Sequence, residues 1–482
     1  MKKNVYKILE YEKKREQYSE LGTAFSPFDI GIPLVDMSNK TIEQIYYFRW
    51  HTYCKHIKLT PIGYVITEFL PDVPWAGKYN TICCPAGHHF YEGRWLHMQN
   101  YTTDYAKFWF TEDASLRLYS FWVADSILAM CKVTGDLTVA KELFEDLKHN
   151  YFEWERTHLR EGGFFYQIDD RDGMEFSISG SGYRPTINSY MCGDAYAIYQ
   201  IAKLLGKEDD SRLFYDKYSE LKEIINTKLW NSDADFYMSL SENKDYNFSG
   251  VREEIGYVPW YFNIPDDKKT TAWRLLNDEN YFKAPFGPTT AERNHPDFML
   301  KYPHACLWNG PSWPFATSQT LTALGNLLNN YNQNIMKKSD YYGLLDTYSK
   351  SQYLGEKPFI DEDIDPFTGA WIARDYLHNQ TPLPDDAERG KDYNHSTFCD
   401  LVISGLAGIR ASLDATVTVN PLFSENDLDY FCADGILYHG YYITVVWDKT
   451  GEHYNIGQGF TVFCDGEKIK TMPILDTIKF NI

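Results

Sequence analysis

Four carboxylates fall within five positions of the stretch KPFIDEDIDPFTGAW (357–371): Asp361, Glu362, Asp363 and Asp365. Pro366, Thr368 and Gly369 follow, and Phe359, Phe367 and Trp371 flank the group. A second acidic stretch, QIDDRDGMEFSISGSGYRPTINSY (167–190), holds Asp169, Asp170, Asp172 and Glu175 ahead of a Gly/Ser run. Two separate acidic loops suit glycoside hydrolysis. There one carboxylic acid protonates the leaving oxygen, while a second carboxylate activates water or attacks carbon. The two face each other across the sugar, so they tend to come from different loops. Taken singly, each of these acids is more often a cap or a turn residue.

Other chemistries fit the same residues less well. A calcium loop needs alternating oxygen ligands, a central Gly and a distal Glu, whereas Gly369 comes late and no acid follows it before Asp375. GSGYRPT lacks the Gly-Lys-Ser/Thr ending of a phosphate loop. His88-His89 and His395 in DYNHS do not make a metal spacing such as H-E-x-x-H. The expectation is therefore no metal and no cofactor.

Aromatic residues make up 17% of the chain, and many lie in Gly/Pro-punctuated segments such as DVPWAGKYN, GHHFYEGRWLH, GYVPWYFNIP and HACLWNGPSWPF. A pyranose offers apolar C–H faces to such rings and hydroxyls to nearby acids and amides. Ligand platforms and core packing are about equally good readings of these rings.

The elements that must position these loops read as helices. TIEQIYYFRWHTYCKHI (41–57), SLRLYSFWVADSILAMCKVTG (115–135), TVAKELFEDLKHNYFEWERTH (138–158), PTINSYMCGDAYAIYQIAKLLGK (185–207) and DSRLFYDKYSELKEIINTKLW (210–230) carry helical periodicity. Further helices are expected at about 265–277, 312–331, 339–353 and 395–412. They come in pairs, one nearly all apolar and the next amphipathic, as an inner and an outer ring of helices would produce. The long loops 159–184, 231–264, 279–311 and 355–394 lie between them, and loops of that length are usually functional. After about residue 415 the pattern turns to short β-branched and aromatic runs. With the Asp465-Gly466 hairpin signal, these read as a small antiparallel β module.

Composition narrows the partners. The 482 residues carry a net charge of −20, a poor footprint for a nucleic acid. No run reaches the length of a membrane span. The N-terminal segment has basic residues without an apolar stretch behind them, unlike a signal peptide. Nine scattered cysteines without C-x-x-C spacing suggest free thiols in a reducing compartment. A cytoplasmic protein acting on a neutral sugar follows as the expectation, with the oligomeric state left open.

Three segments carry a resemblance to a known family. ACLWNGPSWPFATSQTL is similar to the W-x-G-P-x-W-P segment of glycoside hydrolase family 63 and its bacterial mannosylglycerate hydrolase-like relatives. DEDIDPFTGAW resembles the family's E-x-Y/F-N/D-P-x-T-G segment, and RDGMEFS more loosely its S-G-M/L-D segment. The resemblance implies an (α/α)6 toroid of the six-hairpin type and an anomer-inverting, exo-acting glycosidase.

It also implies Glu362 as general base and Glu175 at the acid position. That position holds Glu where the family has Asp, so Asp172 is a rival. Trp75, His88, Arg94, Arg184, Asn188, Trp308, Asn309, Trp313, Asp365 and His395 are the candidate sugar-binding residues. The expected organisation is an N-terminal segment 1–110 lining the site, a catalytic domain 111–414 and the β module 415–482. A lyase or epimerase using His88, His89, Arg94, His304 or His395, a phosphorylase, and a non-catalytic sugar binder are the alternatives.

Overall fold

The computed structural model describes residues 5–21, 26–242 and 245–482. Helices dominate up to about residue 406, and strands thereafter. The helix Lys40–Lys55 starts where the Asn39 side chain accepts from the Thr41 and Ile42 N–H groups, satisfying two orphan donors. Pro185–Leu204 and Pro314–Asn330 each begin with proline at their first position, where its missing N–H costs nothing. Both are buried along most of their length, as are Val123–Thr134 and Lys40–Lys55. The helices Phe144–His158 and Glu208–Ile224 bury one stripe and present charge on the other side.

Several expected helices are shorter than their apolar pattern. Residues 115–122 are irregular, and the helix begins only at Val123. The 138–158 stretch is two helices, Thr138–Glu142 and Phe144–His158. Asp267–Asn277 is wound as a 3₁₀-helix. The stretch 395–412 holds only two α-helical residues and a π-helical turn, Leu401–Leu406. Its first part is irregular: Asn394 N–H pairs with the Glu68 carbonyl (3.1 Å), and the Glu92 carboxylate collects the N–H groups of Phe398, Cys399 and Asp400.

The C-terminal strands build a five-stranded antiparallel sheet in the order Leu34–Met37, Tyr430–Tyr438, Tyr441–Asp448, Gly459–Cys464, Glu467–Met472. Asp465 (φ 46°) and Gly466 (φ 81°) turn the last hairpin, the two positive φ angles that a tight Asp-Gly hairpin demands. The first strand comes from the N-terminal segment, so both ends of the chain share one sheet. A smaller sheet joins Ile478–Asn481, Thr416–Val419 and Ile409–Arg410. Its third strand precedes residue 415, so the smaller sheet straddles the boundary expected there. One continuous apolar core runs from the helices into the large sheet. Among the described residues no helix is long and apolar enough to cross a membrane, and no group of three or more His, Cys, Asp or Glu could hold a metal. None of the nine cysteines forms a disulfide.

Candidate active site

Both acidic loops are tied to the segment ahead of the helix Pro314–Asn330. Trp308 N–H donates to the Glu175 carbonyl (3.1 Å), and Ser312 and Ile364 exchange both backbone hydrogen bonds at 2.9 Å. Loop 159–184 and loop 355–394 therefore meet across the stretch LWNGPSW. They open into a cavity of about 460 Å³ lined by Glu68, Trp75, Glu175, Trp308, Trp313, Glu362, Arg389, Tyr393 and His395, among others. Its wall is aromatic: Trp308 and Trp313 stack with centroids 4.4 Å apart, and Phe315 stands edge-on to Trp308.

Of the four acids at 361–365, only Glu362 lines this cavity. Its Oε1 accepts from Arg389 Nε at 3.2 Å, and Cys306 Sγ lies 2.7 Å from Oε2. The other three have structural work. Asp361 Oδ1 accepts from the Glu362 N–H (2.9 Å), and Asp363 Oδ1 accepts from the Ala373 N–H at the start of the helix Ile372–His378 (2.9 Å). Asp365 is a sugar-binding candidate that lies outside the cavity. Its carboxylate accepts from the N–H groups of Phe367 and Thr368 and holds the turn.

Glu175 faces the same cavity from the other loop. Burial of its carboxyl, with the charges of Asp170 and Glu362 nearby, raises its pKa to about 7. Asp172, the rival acid, does not line the cavity. It is buried, with Oδ2 taking Arg184 Nε at 2.7 Å and the Thr186 hydroxyl. Arg184 in turn donates to the Ser177 and Ser179 hydroxyls and to the Gly180 carbonyl, so it clasps the loop that carries Glu175.

The remaining candidates divide in the same way. Trp75, Trp308, Trp313 and His395 line the cavity. His88 does not: it packs behind the wall against Trp122 and Phe315, its ring neutral because burial lowers its pKa. Asn188 is spent on the backbone of Phe165, and Asn309 on the Asp297 and Leu300 carbonyls. Arg94 pairs with Asp400 elsewhere in the molecule. Within the N-terminal segment expected to line the site, His89 of the helix Ala86–Gly93 is bonded to Tyr105 and to the Asn394 carbonyl.

Several cavity residues had no place in the sequence reading. Glu68 is a third carboxyl, buried, taking the Tyr393 hydroxyl at 2.6 Å. Burial raises its pKa to about 8, with the charges of Glu362 and Glu175 adding to the shift. Arg389 spans the mouth, on Glu362 at one end and 5.3 Å from the Trp75 ring centroid. Glu68 opens the segment EFLPDVPWAGKYN, and Tyr393 precedes His395 in DYNHS, so position in a functional stretch was their only signal. Cys306, in HACLWNGPSWPF, had the same signal, and Arg389 had none.

The profile of the mannosylglycerate hydrolase MGH1-like glycoside hydrolase domain matches residues 78–396, well over half of the chain. The chain belongs to this family. The MGH1-like match spans both acidic loops and the segment that joins them, while Glu68 lies ten residues ahead of it. A solved structure named a sialidase superposes with a TM-score of 0.93 at 37% identity, covering 98% of this chain and 45% of that one. A family 63 mannosylglycerate hydrolase from Thermus thermophilus, in complex with Tris, aligns with a TM-score of 0.53 at 12% identity, over 75% of this chain and all of its own. It shares the helical fold of this MGH1-like domain. A protein of Borreliella burgdorferi described as uncharacterised is 28% identical over 152 residues, 31% of each chain. The chain thus spans less than half the length of the sialidase and of the Borreliella protein.

Proposed function

We propose that this MGH1-like domain is an inverting glycosidase that removes a neutral sugar from the end of an oligosaccharide or from a small glycoside. Glu175 is the general acid and Glu362 the general base in this reading. The observation that carries it is the placement of these two carboxyls, from loops almost two hundred residues apart, on one aromatic-walled cavity. A pKa near 7 suits an acid that must hold its proton at neutral pH. Glu362, held by Arg389, is placed to draw a proton from water at the anomeric carbon. The Trp308–Trp313 stack offers an apolar wall to a sugar face.

A cavity of about 460 Å³ suits one small ligand better than a long polymer and so supports exo action. The successive packing of Lys40–Lys55, Lys338–Lys350, Pro314–Asn330, Val258–Tyr261, Pro185–Leu204, Val123–Thr134 and Ala86–Gly93 supports a ring of helices, the (α/α)6 toroid. Neutral substrate follows from charge. Glu68, Asp170, Glu175 and Glu362 line the cavity against Arg171 and Arg389, and Arg389 is already paired. With Glu68 and Glu175 protonated near neutral pH, Asp170 and Glu362 balance Arg171 and Arg389, so no net positive charge is left to draw an anionic sugar.

Proton NMR in the first minutes of hydrolysis tests the mechanism. The product anomer is expected to be opposite to that of the substrate. That requires Glu175 and Glu362 carboxyls roughly 6.5–9.5 Å apart around a water, against about 5–5.5 Å for direct attack. Retention, or a covalent glycosyl-enzyme trapped by a fluorosugar, would overturn both roles. Turnover that depends on inorganic phosphate would point to a phosphorylase.

A further inference from the structure

A second cavity of about 530 Å³ shares no lining residue with the first. The helix Pro314–Asn330 reaches both, giving Phe315 to the catalytic cavity and Asn326 to the other. Leu321, the first residue of this helix on the second cavity, lies six residues past Phe315, about 9 Å along the axis at about 1.5 Å per residue. The second cavity is closed on one side by Arg410 and Thr418 of the smaller sheet, and Tyr196, 38% exposed, stands among its lining.

Five charged side chains converge there: Arg94, Asp125, Lys132, Asp400 and Arg410. One pair is closed. Asp400 Oδ1 takes Arg94 Nε and Nη2 at 3.0 and 2.7 Å and Trp95 Nε1 at 2.6 Å. Asp125 takes the Tyr91 hydroxyl at 2.7 Å, and burial raises its pKa. Two cations remain. Arg410 donates to one neutral oxygen, Asn326 Oδ1, at 2.9 Å. Lys132 Nζ has no hydrogen-bond or ion-pair partner among the described residues. Burial lowers the pKa of both; for Lys132 the Asp125 charge offsets part of this, and Arg94 and Arg410 push it further down.

Both cations are half-buried, and a cation that loses part of its hydration is costly unless a counter-charge meets it. Lys132 lies in the last turn of Val123–Thr134, whose C-terminus supplies about half a negative charge. Arg410 sits on a short strand and has no such compensation. Asp125 is one carboxyl for two cations.

We propose that this cavity is a second binding site, for a small oxyanion such as a phosphate or a carboxylate, held between Lys132 and Arg410. Isothermal titration calorimetry tests this with inorganic phosphate and with malonate, against sodium chloride at matched ionic strength. One or both oxyanions bind saturably to the wild-type protein, and the comparison of the two separates phosphate from carboxylate. Lys132→Met and Arg410→Gln each weaken that binding by about 10-fold or more, the worth of one charge-assisted hydrogen bond, and Glu362→Gln leaves it unchanged. Lys132→Gln serves if the Met variant fails to fold. No saturable heat with either anion would overturn the proposal. So would affinity kept in both cation variants, or affinity lost in Glu362→Gln, which would put the anion in the catalytic cavity.

Discussion

At the scale of single residues, two carboxyls on one cavity, Glu175 and Glu68, are pushed toward the protonated form by burial, with nearby carboxylate charge adding to the shift. Glu175 lies near pH 7 and Glu68 near pH 8. A general acid works only while protonated, so kcat/KM is expected to fall as pH rises through about 7. In Glu175→Gln this alkaline limb disappears, and the loss is severe for a sugar leaving group but mild for an activated aryl glycoside. A pH–rate series on both substrates checks it. Glu68 makes a separate claim on stability. Its folded pKa stands above that of the unfolded chain, so folding binds a proton and its contribution is fully present only below about pH 4.5. The contribution is lost as pH rises toward 8. Glu68→Gln keeps an acceptor for the Tyr393 hydroxyl and has no charge to desolvate. It is expected to gain on wild type by up to about 4 kcal/mol between pH 5 and pH 8.5, at about 1.4 kcal/mol per pKa unit. Urea midpoints at the two pH values measure the difference, and an equal gap at both would contradict it.

At the scale of elements, the site is a bracket: LWNGPSW holds one acidic loop through Trp308 and the other through Ser312. The acidic loops and this segment were legible because their residue types are unusual and locally clustered. The cavity's other members come from distant positions whose local sequence says nothing of where they fold. Arg389 is an instance, brought to Glu362 only by the return of loop 355–394. Arg184, Asn188, Asn309 and Asp365 make their bonds within the loops beside the cavity, for one physical reason. Polar side chains beside a site also satisfy the backbone of the loops that build it, and sequence does not separate the two uses. Helix ends were misread where Glu92 draws the 398–400 backbone to itself. The bracket has a tight point at Gly390, where an added Cβ would collide with Asp361 Oδ1, the acceptor of the Glu362 N–H. Gly390→Ala is expected to displace Glu362 and lower kcat by about 10-fold or more with KM little changed, since misplacing a reacting group by about 1 Å can cost about 10²-fold. Steady-state kinetics beside an unchanged circular dichroism spectrum would show it. Near wild-type kcat would mean that the loop absorbs the methyl elsewhere.

At the scale of the whole molecule, the two ends of the chain are bound to each other. Strand Leu34–Met37 forms the edge of the C-terminal sheet, and the buried Asp434 of the adjoining strand collects the N–H groups of Lys7, Ile8 and Leu9 at 2.9, 2.6 and 2.7 Å. The Thr444 hydroxyl donates to the same carboxylate at 2.6 Å. Four donors on one carboxylate leave no room for an amide NH₂ in its place. Asp434→Asn turns one acceptor oxygen into a donor that faces backbone N–H groups, and it leaves at least one of them unsatisfied. A cost of about 1–3 kcal/mol is expected for each buried donor left without a partner. The loss should fall on the N-terminal segment first, because few other hydrogen bonds hold residues 7–9. Hydrogen exchange in Asp434→Asn is therefore expected to rise at residues 7–17 while the helix Pro314–Asn330, which flanks the catalytic cavity, keeps its protection and the enzyme its turnover. Exchange that rises equally in both places would mean that the N-terminal segment and the helical domain unfold as one unit, and that the sheet which joins the chain ends supports the site itself.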